Sequence, residues 1–68
     1  MKITKRMREF LEWGQLNEVF ISPHGEWRVM LNKAIKAKLI ERTGNSIEFN
    51  SHEYSGYRLS KLGREALK

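Results

Sequence analysis

Apolar residues recur along this chain at two different periods, helical first and alternating later. Met7, Phe10, Leu11 and Gly14 fall three and four apart, with Lys5, Arg8, Glu9 and Glu12 opposite, which predicts an amphipathic helix of about three turns capped by Thr4. Gly14 is expected to end it, because glycine adopts the left-handed conformation at least cost. Leu16, Val19 and Phe20 suit a short second helix; a strand over 19–21 is the alternative, since Val, Phe and Ile are poor helix formers. Ser22-Pro23-His24-Gly25 breaks that segment and starts the next, with Ser22 as cap and Pro23 at the first helical position, where it gives up no hydrogen bond. A third helix then runs to about Lys38, with Trp27, Met30, Leu31, Ala34 and Ala37 in one arc and Arg28, Asn32, Lys33 and Lys36 opposite.

Beyond Leu39-Ile40 the period drops to two. Gly44-Asn45 signals a turn, and Ile47-Glu48-Phe49 and Tyr57-Arg58-Leu59 alternate as the strands of a hairpin, with Asn50 to Gly56 as a polar loop between them. Ser60 caps a short last helix in which Leu62, Ala66 and Leu67 face inward. The expectation is one α+β domain over residues 1–68, with no linker, repeat or low-complexity tract.

This order, and above all Tyr57-Arg58-Leu59-Ser60-Lys61-Leu62-Gly63 read with Lys38-Leu39-Ile40 upstream, resembles the winged helix-turn-helix family. In that family a helix runs into a short x-Leu-Ile strand, and the hairpin ends in an aromatic-x-Leu-Ser/Thr-x-x-Gly pattern that opens a last helix. The resemblance implies three helices, a hairpin wing of two or three strands, and a short C-terminal helix. It also implies binding of duplex DNA, as in a prokaryotic or phage transcriptional regulator or a recombination accessory factor. Lys38 stands where the family often has glycine, which implies an ordinary helical or extended backbone at that position.

Charge points the same way. The net charge of +5 favours an anionic partner. Residues 27–42 carry +4 and 58–68 carry +3, whereas 15–26 and 43–57 carry −2 each. The outer face of the third helix therefore supplies the expected DNA contacts. Arg28 suits guanine and Asn32 adenine, Lys33 and Lys36 suit phosphate, and the same polar face is also what a solvated surface helix would show. Further phosphate contacts are expected from Lys2, Lys5, Arg6 or Arg8, and from the backbone N–H groups that Gly25 leaves accessible; for Arg6 and Arg8 an ordinary solvated helix surface is the favoured alternative. The wing is acidic through Glu48 and Glu53 and is expected to add little affinity; Arg58 at its base either touches DNA or pairs with Glu48.

Other chemistry is thin. The chain has no cysteine, which excludes disulfides and thiolate zinc sites and fits a reducing, cytoplasmic setting. No apolar run approaches the roughly 18 residues of a membrane span. His24 with Glu26 and His52 with Glu53 fall short of a metal cluster, and no nucleophile-base-acid set or phosphate-cradling loop is present, so neither cofactor nor catalysis is expected. At 68 residues a monomer or weak oligomer is expected. The rival reading is a winged-helix module that modulates a host protein of the transcription or defence machinery, gripping it through Trp13 and the acidic wing. RNA binding is a third.

Overall fold

A computed structural model describes residues 3–68: α1 (Lys5–Asn17), α2 (Glu26–Lys36), β1 (Ile40–Phe49), β2 (His52–Leu59) and α3 (Lys61–Ala66). It is an α+β arrangement of three helices and one antiparallel two-stranded hairpin. Thr4 caps α1 as expected, its Oγ1 accepting from the Met7 N–H at 3.1 Å. Met7, Phe10, Leu11 and Gly14 are the buried face.

Gly14 does not end the helix. A Cβ there would lie 2.9 Å from both Leu59 Cδ1 and Phe20 Cε1, so the glycine serves close packing inside α1. The chain turns instead at Glu18, whose φ of 60° and ψ of −66° let the Val19 N–H reach the Asn17 carbonyl at 2.6 Å. The expected short second helix is absent: Leu16 and Asn17 belong to α1, residues 18–19 bend, and Phe20 makes a one-residue antiparallel bridge with Tyr57. Its N–H and C=O bond those of Tyr57 at 2.9 and 2.8 Å, so the strand alternative over 19–21 describes this segment better.

The second helical start is also shifted. Ser22 does not cap; its hydroxyl donates to the Pro23 carbonyl, and α2 begins at Glu26 behind Gly25, whose φ of 72° favours glycine. At the other end the Lys38 N–H bonds the Ile35 carbonyl and the Leu39 N–H the Ala34 carbonyl, at 3.0 and 2.9 Å. This is a complete Schellman closure, and it puts Lys38 at φ 66°. The tight left-handed turn that lysine was expected to disfavour therefore forms. Burial of Leu39, at 1% exposure, is what the turn achieves.

The hairpin is longer than expected, and its turn lies elsewhere. Asn50 and Ser51, at φ 51° and 65°, make a two-residue turn of the kind that matches strand twist, so most of the expected 50–56 loop is strand. Gly44-Asn45 is not the turn. It belongs to a bulge in which Thr43, Gly44 and Asn45 face Gly56, held by the Asn45 N–H donating to Thr43 Oγ1 at 3.2 Å.

Ser60 caps α3 through the Gly63 N–H at 3.1 Å and also donates its hydroxyl to the Lys38 carbonyl at 2.6 Å. A Cβ on Gly63 would fall 2.1 Å from the Leu39 carbonyl oxygen. Gly63 is buried and Leu62 exposed, the reverse of the expected inward Leu62. Phe10, Leu11, Leu31, Ala34, Leu39, Ile40 and Leu59 form the core between α1, α2 and the hairpin base, with Phe20 and Tyr57 at its edge.

Candidate nucleic-acid interface

Helix α2 is fixed by its inner face and by its C-terminal closure. Leu31 and Ala34 are buried, and Trp27 stands in an aromatic cluster, 5.4 Å from the Phe10 ring and 5.2 Å from Trp13. Arg6 of α1 pairs with Glu26 in the first turn of α2, and the Schellman closure sets the other end. The opposite face has no packing partner to satisfy. Arg28, Asn32, Lys33 and Lys36 are all exposed on it, and none of the three cations enters either ion pair found among the described residues. From Arg28 to Lys36 the stripe covers roughly 12 Å of helix axis, about the rise of three to four base pairs. Val29 sits in the same stripe, 54% exposed. An apolar residue there is suited to a thymine methyl group.

The remaining site residues separate from this face. Lys5 is exposed at the start of α1, in no ion pair among the described residues, and Lys2 lies outside the described residues. Gly25 has open space around its Cα and no side chain caps the α2 N-terminus, but Glu26 brings a carboxylate into that first turn. That carboxylate is paired with Arg6, and its negative charge in the first turn disfavours a phosphate there.

Arg58 is paired within the hairpin. It lies opposite Glu41 in the hairpin register and pairs with it at 3.2 Å; Glu48, its expected partner, faces Glu53 near the turn. Its strand neighbours Tyr57 and Leu59 point into the core, so Arg58 faces the far side of the sheet, beside Gln15 and Glu18. Arg6 and Arg8 have structural partners as well as exposed heads. Arg8 donates to the Leu67 and Ala66 carbonyls at 3.3 and 3.4 Å, tying α1 to the end of α3.

Trp13 is half-buried against Phe10, Phe20 and Trp27, covering the junction between α1 and the Phe20 segment. No helix of the described residues is long and apolar enough to cross a membrane. Compared with models of known protein families, with curated proteins and with solved structures, the chain matches none of them.

Proposed function

We propose that this protein binds duplex DNA as a winged-helix domain, laying the outer face of α2 in the major groove, and acts as a non-enzymatic regulator of transcription or recombination. The observation that carries this reading is the stripe Arg28, Val29, Asn32, Lys33 and Lys36: exposed throughout and mounted on a helix whose inner face and C-terminal end are fixed. A helix of about 10–12 Å diameter fits the major groove, and a packed inner face lets its outer side chains meet base edges without a large ordering cost. Arg28 would read guanine, Asn32 adenine and Val29 a thymine methyl, with Lys33, Lys36 and Lys5 on phosphates. Between α1 and α2 the Phe20–Tyr57 bridge stands in place of a short helix, so α1 and the hairpin base, rather than a helix pair, would hold α2 against the duplex.

Sequence selection from a random duplex pool, followed by titration at several salt concentrations, tests this. A motif of about four adjacent base pairs is expected. Lys33→Ala and Lys36→Ala should each lower the log-log salt slope by about 0.9, and Arg28→Ala should relax one base position at a cost of about 1–3 kcal/mol. Recovery of no motif, with duplex held no better than a scrambled polyanion, refutes it.

A further inference from the structure

One cation of the α2 stripe also borders a concavity. Ile3, Met7, Met30, Ala37 and Leu39 wall a groove of about 420 Å³ between the first turn of α1 and the C-terminal half of α2. Met7 and Leu39 are its buried floor, and Ile3, Met30 and Ala37 stand half-buried around them. Alanine at 37 leaves the space that a longer side chain would fill, and the two methionines give walls that re-pack readily around a guest. Mostly apolar walls of this extent, with a few polar groups, are the mark of a small-molecule site.

The polar groups that line it are Thr4, Arg6 and Lys33, so both of its ionisable groups are cations and no carboxylate lines it among the described residues. Arg6 is already paired with Glu26, whereas Lys33 enters no ion pair among the described residues. One free positive charge therefore stands at the rim. Helix α1 adds to it, because its first turn carries no acidic residue and the positive helix end beside Thr4 and Met7 is not offset as that of α2 is by Glu26. The Thr4 hydroxyl accepts from the Met7 N–H and keeps its own proton to donate.

A second groove shows what the cation adds. About 450 Å³ in volume and walled by Trp13, Phe20, Ile47 and Phe49, it has no Lys or Arg in its lining. Apolar surface alone selects no charge in a guest. Apolar surface beside a free ammonium complements an apolar anion.

We propose that the groove between α1 and α2 binds an organic acid with one ionised carboxylate and an apolar body. Lys33 holds the carboxylate, the Thr4 hydroxyl is a further donor, and the body lies over Met7, Met30 and Leu39. Lys33 is also one of the cations offered to phosphate, so the bound acid competes with duplex. That competition rests on the reading of α2 given above, and the binding itself does not.

The test titrates decanoate, kept below its micelle concentration, into the full ¹⁵N-labelled chain, with decanol and decyltrimethylammonium as probes of the same length and different charge. Decanoate is expected to bind with a Kd of about a millimolar or tighter and to move the amides of Thr4, Arg6, Met7, Met30, Lys33 and Ala37. Lys33→Ala should weaken it about two- to fivefold, and Ala37→Leu, which fills the groove and keeps both cations, about tenfold or more. Melting curves report whether each variant is folded; if Ala37→Leu is not, Met30→Ser tests the same wall and should also weaken binding. The proposal is overturned if decanol or decyltrimethylammonium binds the groove as tightly as decanoate, if Lys33→Ala binds decanoate undiminished, or if the shifts fall around Phe49 or on no defined site. Duplex titrated with and without decanoate then reads the competition: affinity should fall in the wild type and hold in Lys33→Ala. Bound decanoate that leaves duplex affinity unchanged overturns the competition, whereas a chain that binds no duplex refutes the reading of α2 and leaves the carboxylate site to the first titration.

Discussion

Lys38→Gly should be more stable than Lys38→Ala, and the size of the difference follows from the backbone. Lys38 sits at φ 66° as the left-handed residue of the Schellman closure and is exposed, so its side chain has no packing to lose. A non-glycine residue in that conformation costs about 1–2 kcal/mol. Glycine removes the cost but returns about 0.5–1 kcal/mol through its freer unfolded chain, leaving a net gain centred on about 0.75 kcal/mol and at most about 1.5 kcal/mol. The substitution also removes a cation from a helix C-terminus, where charge is worth about 0.3–1 kcal/mol, so the reference is Lys38→Ala, which loses the same charge and keeps the backbone cost. In a domain of this size the glycine variant should melt roughly 2–8 °C above the alanine variant when unfolding is followed by circular dichroism. A glycine variant melting at or below the alanine one would show that position 38 is not held left-handed in solution, and that α2 ends in another way.

Two further outcomes follow from the same packing. Gly63→Ala should destabilise by about 3 kcal/mol or more, measured by urea unfolding, because the added methyl would meet a backbone carbonyl that is fixed by the Ser60 N–H and cannot rotate away like a side chain; a loss under about 1 kcal/mol would mean that α3 does not rest on Leu39. Arg58→Gln should leave duplex affinity and its salt slope within error while Lys36→Ala lowers both, read by fluorescence anisotropy; a change in slope of about 0.9 for Arg58→Gln would return the far face of the sheet to the DNA interface.

The inner faces of α1 and α2 were legible from spacing alone, since Met7, Phe10, Leu11, Leu31 and Ala34 recur at helical intervals and are buried. Where elements stop was not, because the stops are set by contacts distant in sequence. Lys38 turns left-handed where burial of Leu39 and the hydrogen bonds to Ser60 reward it, and Gly14 looks like a helix end until Phe20 and Leu59 are brought against it. Gly44-Asn45 is the louder turn signal, yet Asn50-Ser51 makes the turn; Gly44 instead supplies the positive φ that the bulge needs. In the candidate interface, helical period alone located Arg28, Asn32, Lys33 and Lys36. The partners of Arg6, Arg8 and Arg58 were hidden, because each lies at least 17 residues away along the chain.

Glu48 and Glu53, facing each other near the tip of the hairpin, bear on solubility. A ribbon of two strands has long unpaired margins, and this one exposes Phe49 and Tyr54, a combination that invites copies of the chain to stack margin to margin into fibrils. Two such wings laid side by side would gather four carboxylates into one row. The opposed pair costs its own hairpin about 0.2–1 kcal/mol, and in return a wing that exposes Phe49 and Tyr54 repels its own kind.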